Sequence, residues 1–267
     1  MPPVKKRPRS YDPRKIRAAV FGQFGAVRDG VRGVGDEVLG ARSGVGEWSV
    51  RDLVAHVAMA LGGVERALDA VGAGDRGRPE VGLLDWPFAT GRYADGIDED
   101  TRALGARHPD LDALFGEVGG RVAARLDEGP GTRLVRPRMG TMTLDDYLVT
   151  RTVELVVHTD DLNRATGLAI PFDRQALAAA VRLLADALAV KAPGGSTEVR
   201  IPPYAVVQCV EGPRHTRGTP PNVVETDPLT WIRLATGRTD WATEREAATV
   251  SASGERADLS ALLPILR

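Results

Sequence analysis

Two histidines interrupt apolar stretches of the sequence, and one of them has a carboxylate one helical turn away. His56 lies within the apolar run of residues 53–61, and His158 follows the apolar residues 155–157. Glu154 precedes His158 by four residues, so on a helix the two side chains share one face. Because an unpaired polar ring on a buried face costs about 1–3 kcal/mol, these histidines need polar partners.

Two imidazoles and one carboxylate are a set of three ligands for a divalent metal, with a fourth position open as in catalytic zinc sites. If the helices that carry them pack with these faces inward, His56, Glu154 and His158 meet at one point. Asp52 lies one turn before His56, and Asp161 continues the face of His158. Both aspartates are therefore candidates to hold the ring N–H groups of the histidines. The open position would carry water or a thiolate.

An ordinary solvated helix face explains the same spacing. Polar residues recur at intervals of four and three positions: Tyr147, Arg151, Glu154, His158 and Asp161. In that interpretation Glu154 and His158 are a surface pair that contributes about 0.2–0.5 kcal/mol. His56 is then a hydrogen-bonded histidine of the core. The residue types and spacing alone leave both interpretations open.

The first half of the chain carries the periodicity of amphipathic helices. The predicted helices cover residues 13–39, 50–71, 91–106, 111–127 and 144–165. Ser49 and Thr143 each precede an aspartate by three residues, which is typical of a capping box at a helix start. Glycines are expected to break the first helix, and four main helices would pack as a bundle.

The second half mixes helices and strands. An apolar helix is predicted over residues 172–191, a short one over 228–236 after the cap Asp227, and a closing one over 257–266. Four strands are predicted over residues 197–201, 204–211, 222–225 and 247–253. The fold class is therefore a helical bundle followed by an α+β unit, with an antiparallel sheet expected.

Composition bounds the class of protein. The 267 residues are 43% hydrophobic and 27% charged, which is typical of a globular chain with room for two domains. We expect a disordered basic tail at residues 1–11, a metal-binding bundle at 12–168 and the α+β domain at 169–267. Cys209 is the one cysteine, so an intrachain disulfide and a multi-cysteine zinc site are excluded.

Charge and hydropathy exclude further classes. Residues 1–17 carry a net charge of +6 and the remainder −7, and this acidic body argues against nucleic acid as the main partner. No apolar run approaches the 18 residues that suggest a membrane span, and the N-terminus lacks the apolar core of a signal peptide. A cytoplasmic location is expected.

Two segments resemble signatures of the mycothiol-dependent maleylpyruvate isomerase family, a group of DinB-like metal-binding four-helix bundles. Residues 48–56 read WSVRDLVAH, and residues 151–162 read RTVELVVHTDDL. The resemblance implies that His56, Glu154 and His158 bind zinc or another divalent metal, and that the thiol mycothiol is the co-substrate. Mycothiol is made by actinobacteria, whose genomes are often GC-rich. Only four of the 35 basic residues are lysines, which is compatible with such a source.

The second half resembles the bacterial variant of a sterol-carrier-protein-like domain, which forms the C-terminal part of that family. Residues 220–228, 231–238 and 253–259 carry this resemblance. An arginine of this domain assists the isomerase reaction, and by position the resemblance gives that catalytic role to Arg238. The segment after Arg238 is longer than in the isomerase, so the specific maleylpyruvate reaction is not carried over.

The expected function is a zinc- and mycothiol-dependent transferase or isomerase that acts on a small anionic electrophile. The alternative is a sterol-carrier-like protein that binds a hydrophobic ligand and has a non-catalytic metal site. The apolar residues of 172–191 and 257–266 would then line a lipid cavity, although core packing explains them equally well. A metal that serves stability or regulation alone is a third interpretation.

Overall fold

A computed structural model describes residues 9–71, 77–212 and 221–266 of the chain. Of the basic tail predicted at residues 1–11, only residues 9–11 fall within these ranges. Arg9 there forms an ion pair with Asp186, with a distance of 2.8 Å between Nε and Oδ2. The remainder of the predicted tail lies outside the described residues.

The described part of the first half contains seven α-helices: α1 (Pro13–Val31), α2 (Asp36–Gly40), α3 (Val50–Asp69), α4 (Trp86–Ala89), α5 (Ala94–Arg107), α6 (Leu111–Asp127) and α7 (Leu144–Thr166). The first predicted helix is divided, as its glycines suggested. Gly33 follows the end of α1 with φ of +77°, a conformation that glycine adopts without steric cost.

The two helices that carry the histidines and Glu154 begin at side-chain caps. Ser49 accepts a hydrogen bond from the backbone N–H of Asp52, whose carboxylate accepts one from the backbone N–H of Ser49. This reciprocal capping box starts α3 as predicted. Thr143 likewise accepts from the N–H of Asp146 at the start of α7. Gly167, with φ of +71°, ends α7 in the left-handed conformation typical of a helix C-terminus.

The bundle packs around α3 and α7, which also contact each other. Helix α1 lies against α7, and both α5 and α6 lie against α3. Phe24 of α1 stacks on Phe115 of α6 with ring centroids 4.4 Å apart. Leu53, Leu61 and Leu155 are fully buried between the helices. The predicted helical bundle is therefore confirmed.

A short antiparallel hairpin joins α6 to α7 and was not predicted. Its strands are β1 (Leu134–Val135) and β2 (Met142–Thr143), each only two residues long. Strands this short carry too few residues to show an alternating pattern.

The second half combines α8 (Arg174–Lys191), α9 (Pro228–Ala235) and α10 (Trp241–Glu246) with one sheet. The strands are β3 (Thr197–Ile201), β4 (Ala205–Cys209), β5 (Val223–Thr226) and β6 (Val250–Ser253), in the order β4-β3-β5-β6. The predicted α+β class is confirmed. Helix α10 was not predicted, although Asp240 caps it.

The expectation of an antiparallel sheet is wrong for one strand pair. Strands β3 and β5 are parallel, whereas β4 pairs with β3 and β6 with β5 in antiparallel register. Strand β4 runs back to the end at which β3 begins, and the chain enters β5 from that same end. Because β4 has already returned the chain to that end, β5 can run parallel to β3.

The closing helix predicted over residues 257–266 is also wrong. The segment holds one turn of 3₁₀ helix, Ser260–Leu262, and Pro264 cannot donate the backbone hydrogen bond that a continuing helix requires. Its apolar residues are buried nonetheless, with Ala257, Leu259 and Ile265 each at most 3% exposed. Apolar content thus indicated burial correctly and the element type incorrectly.

Helix α8 joins the two halves. It packs against α1 and α7 on the bundle side and against β4 and α9 on the other. Leu183, Leu184 and Leu188 have no exposed surface. Within the described ranges, none of the helices has both the length and the apolar character needed to cross a membrane.

Candidate metal centre

The structure brings together the three side chains that the spacing singled out. His56 lies in the second turn of α3, and Glu154 and His158 lie in the middle of α7. One ligand atom from each side chain lies within 4.8 Å of the other two. Both histidines are 7% exposed, so the group sits beneath the surface of the bundle.

The nitrogens that face the centre are the Nε2 atoms. Oε2 of Glu154 lies 3.8 Å from Nε2 of His56 and 3.5 Å from Nε2 of His158. The imidazole rings meet edge to face, with centroids 4.7 Å apart and an interplanar angle of 85°. Two ring nitrogens and one carboxylate oxygen therefore point at a common space, without a hydrogen bond that closes it.

The Nδ1 atoms face outward and are held by other side chains. Nδ1 of His158 lies 3.0 Å from Oδ2 of Asp161, and Nδ1 of His56 lies 3.1 Å from Oγ1 of Thr101. A ring that donates its Nδ1–H leaves the lone pair of Nε2 free for a metal. This donor set fits a divalent metal with N and O ligands and an open position.

Asp52 does not occupy the position that the sequence suggested. Its carboxylate accepts hydrogen bonds from the backbone N–H and the hydroxyl of Ser49, because the capping box draws it toward the start of α3. Thr101 of α5 lies at Nδ1 of His56 instead. Asp161, by contrast, lies against His158 where the helical spacing placed it.

Arg238 reaches the centre through Asp161. Its Nε lies 3.3 Å from Oδ1 and one terminal nitrogen 3.1 Å from Oδ2 of that carboxylate. Asp161 is 4% exposed, so it is shared between a ring of the bundle and an arginine of the second half. The structure therefore places Arg238 one carboxylate away from His158.

Burial and the neighbouring side chains set the charge of Glu154. Burial disfavours its ionised form, but the adjacent imidazoles of His158 and His56 and the charge of Arg151 outweigh burial and hold the pKa of Glu154 well below its usual range. The carboxylate is therefore ionised, as a metal ligand must be.

The two histidines are shifted in opposite directions. Burial lowers the pKa of His56, and the nearby carboxylate of Glu154 offsets this only in part. Burial also acts to lower the pKa of His158, but the hydrogen bond to Asp161 and the nearby carboxylate of Glu154 raise it above its ordinary value. Asp161 itself is buried, yet His158 and Arg238 lower its pKa to about 2. A proton on His158 thus competes with any metal for Nε2.

Two further side chains line the centre. One terminal nitrogen of Arg151 lies 3.6 Å from Oε1 of Glu154, and its guanidinium group covers the ring of Tyr147 at 4.6 Å. The ring of Trp48 lies 4.8 Å from that of His56, and its indole N–H donates to Asp98. Sequence reasoning assigned no site role to either, although Trp48 opens the first signature and Arg151 the second.

A cavity of about 570 Å³ opens beside Asp161 and Arg238. The loop of residues 42–46 before α3 forms one wall, and Arg164 and Gly237 form part of the other. Clefts of this volume accommodate small organic molecules.

Comparison with known proteins supplies matches to both halves. The family described as "Mycothiol maleylpyruvate isomerase N-terminal domain" matches residues 22–163, and "Bacterial SCP ortholog" matches residues 173–265. Among solved structures, the mycothiol-dependent maleylpyruvate isomerase and a point variant of it are similar, each with a TM-score of 0.57. Their sequence identities are 17% and 16%, and each match covers 93% of this chain and 95% of the other. No curated protein matches the chain.

Proposed function

The chain belongs to the mycothiol maleylpyruvate isomerase N-terminal domain family, whose match spans more than half of its residues, and from this membership we propose a metal- and thiol-dependent transferase or isomerase. The observation that carries the proposal is the convergence of His56, Glu154 and His158 on one space. The outward nitrogens of both rings already have partners, so the inward nitrogens are left for a metal.

Zinc is the metal we propose, held by His56, Glu154 and His158. When bound, such an ion would act as a Lewis acid that favours the deprotonated form of a thiol reaching its open position. The chain's own part is to keep Glu154 ionised, to fix the two rings through Thr101 and Asp161, and to keep the centre largely away from water.

The thiol must come from outside the chain. Cys209 is the sole cysteine of the sequence and lies buried in β4. Burial raises its pKa to about 11, so it holds its proton at neutral pH. We propose mycothiol, the thiol named by the matching family and by both similar structures, as the co-substrate.

A small anionic electrophile is the proposed second substrate, and Arg238 is the residue proposed to bind it. The guanidinium group donates one N–H to the carbonyl of Thr236 and two to the carboxylate of Asp161. Since an arginine has five N–H donors, two remain for an anionic group. The cavity of about 570 Å³ beside Arg238 and Asp161 has room for a small substrate.

The carrier alternative draws no support from helix α8. Its apolar side chains are used in packing between the bundle and the sheet, where Leu183, Leu184 and Leu188 are fully buried. The apolar content that first suggested a lipid cavity is thus explained by the core. We therefore propose the enzyme alone.

The test is the metal content of four proteins: the full chain, His56→Ala, Glu154→Gln and, as a control, His108→Ala. His108 follows the end of α5 and does not belong to the group of side chains that converge at the centre. We expect about one equivalent of zinc in the first and last, and loss of metal in the other two. Full metal content in His56→Ala and Glu154→Gln would overturn the ligand assignment.

A second arm tests the activity. Mycothiol and a maleyl-type electrophile are offered to the zinc-loaded protein and to Glu154→Gln. We expect consumption of the electrophile that requires both the thiol and an intact centre. Activity that is equal in Glu154→Gln, or co-purified lipid with no effect of the thiol, would contradict the enzyme and favour a carrier.

A further inference from the structure

Two consecutive aspartates of α7 each bind an arginine of the second half. Asp160 forms a bidentate pair with Arg233 of α9, with distances of 2.8 and 2.6 Å between nitrogen and oxygen. Asp161 binds Arg238 in the same manner at 3.3 and 3.1 Å. Asp160 is 3% and Asp161 4% exposed. Bidentate arginine–carboxylate pairs fix orientation as well as distance.

The two arginines are also tied to each other through the backbone. The N–H of Arg238 donates to the carbonyl of Arg233 at 2.8 Å, and the N–H of Gly237 donates to the carbonyl of Leu234. Gly237 has φ of +70°. This is the Schellman pattern that ends a helix, so the C-terminus of α9 fixes the backbone position of Arg238.

These contacts form one connected path. Asp160 holds the side chain of Arg233, the carbonyl of Arg233 holds the backbone of Arg238, and the side chain of Arg238 reaches Asp161. Asp161 in turn holds Nδ1 of His158. The end of α9 is thereby fastened to α7 at two successive residues, directly beside the candidate metal centre.

We propose that Asp160 and Arg233 are a positioning pair that keeps Arg238 on Asp161 and, through Asp161, keeps the ring of His158 in its ligating orientation. This inference rests on the proposed function for its metal readout. Neither Asp160 nor Arg233 is among the ligands or the residues assigned to the substrate. Without the pair, the end of α9 keeps only one of its two arginine–carboxylate attachments to α7, and the contact between Arg238 and Asp161 is no longer held in place.

A bidentate pair of the same chemistry serves as the control. Arg28 of α1 and Asp112 of α6 meet at 2.7 Å for both nitrogen–oxygen contacts. They line a different cavity, at the junction of α1, α2 and α6. Asp112→Asn therefore removes the same kind of interaction without touching the path to His158.

The experiment compares the full chain, Asp160→Asn, Arg233→Lys and Asp112→Asn, each freed of metal and titrated with Co²⁺. The visible absorption of Co²⁺ reports both affinity and ligand geometry. We expect Asp160→Asn and Arg233→Lys to weaken Co²⁺ binding by about three- to tenfold, less than the about 10–100-fold typical of residues that contact a ligand directly. Asp112→Asn should match the unchanged chain.

Amide hydrogen exchange on the same proteins gives a readout independent of metal. In Asp160→Asn the amide of Arg238 should lose protection, whereas the amide of Trp231, bonded to the carbonyl of Asp227, should keep it. General destabilisation would lower both alike. Arg233→Lys keeps the charge and one hydrogen bond, so it remains informative if Asp160→Asn does not fold.

The outcomes separate the two proposals. If the unchanged chain binds no Co²⁺, the proposed function fails, and the exchange data still decide whether the pair positions Arg238. If the chain binds Co²⁺ but Asp160→Asn and Arg233→Lys resemble Asp112→Asn in both readouts, the positioning pair is overturned.

Discussion

The two histidines of the candidate centre are supported in different ways. On α7 the support is local, because Glu154, His158 and Asp161 lie on successive turns of one helix. On α3 the support is distant, because His56 is held by Thr101 of α5, which lies 45 residues further along the chain. The α7 side uses a buried carboxylate and the α3 side a neutral hydroxyl. The first is thus both easier to read from sequence and electrostatically stronger.

The largest effect on metal affinity is expected from removing the carboxylate of Asp161, which supports His158. Asp161→Asn leaves His158 with a neutral acceptor and Arg238 without its partner. Because a hydrogen bond to a charged group contributes about 1.5–3 kcal/mol, we expect metal affinity to fall about 10–100-fold. Titration with Co²⁺ or Zn²⁺ measures this. Asp69→Asn, which removes an exposed pair with Arg125, is the control. Unchanged affinity in Asp161→Asn would mean that the carboxylate does not support the ligand.

The matching change on the other side should cost less. Thr101→Val keeps the shape of the side chain and removes the hydroxyl at Nδ1 of His56. A neutral hydrogen bond contributes about 0.5–1.5 kcal/mol, so affinity should fall about two- to tenfold. The same titration measures it. A loss equal to or larger than that of Asp161→Asn would reverse the ranking of the two sides.

The subtlest difference is in proton binding by the metal-free protein. The pKa of His158 is raised by Asp161 and Glu154 against the effect of burial, and that of His56 is lowered by burial. His158 therefore adds stability below its unfolded pKa of about 6.5, and this is lost as pH rises through its folded pKa. The contribution of His56 has the opposite sign. The free energy of unfolding falls as pH drops below about 6.5, because the unfolded chain binds a proton that the buried neutral ring of His56 resists.

Nuclear magnetic resonance titration of the imidazole signals in metal-free protein checks this order. We expect one buried histidine to titrate above the ordinary value and the other below it, with assignment by His56→Ala. In Asp161→Asn the higher of the two values should fall. Two coincident titrations near the ordinary value would remove the electrostatic part of the comparison.

The same contrast between local and distant support explains what could be read from the sequence. Glu154 and His158 meet by helical spacing, and apolar neighbours suggested buried histidines, although a solvated helix face explained the same spacing. Thr101 gave no signal, since nothing local connects α5 to His56. Asp52 fitted two patterns at once, a capping box with Ser49 and a hydrogen bond to the ring of His56. The structure has the contact with Ser49.

The errors in the second half have a similar origin. Strand positions followed from composition, but the parallel pairing of β3 and β5 depends on where the chain re-enters the sheet. The closing segment was apolar enough to be buried, and Pro264 together with the carbonyl of Ala235 determined its shape. That carbonyl accepts the backbone N–H groups of Ile265 and Leu266, a long-range contact that no local pattern indicates.

The separation of the ligands along the chain has a thermodynamic consequence. A metal held by His56 and His158 would close a loop of roughly a hundred residues. In the unfolded chain the closure of such a loop is entropically costly, so the metal binds the folded form instead. Because binding is confined to the folded form, metal at 100 times its dissociation constant adds about 2.7 kcal/mol to the free energy of unfolding. The candidate centre would thus act as a reversible cross-link between α3 and α7. Thermal resistance of the bundle should then follow the supply of free metal.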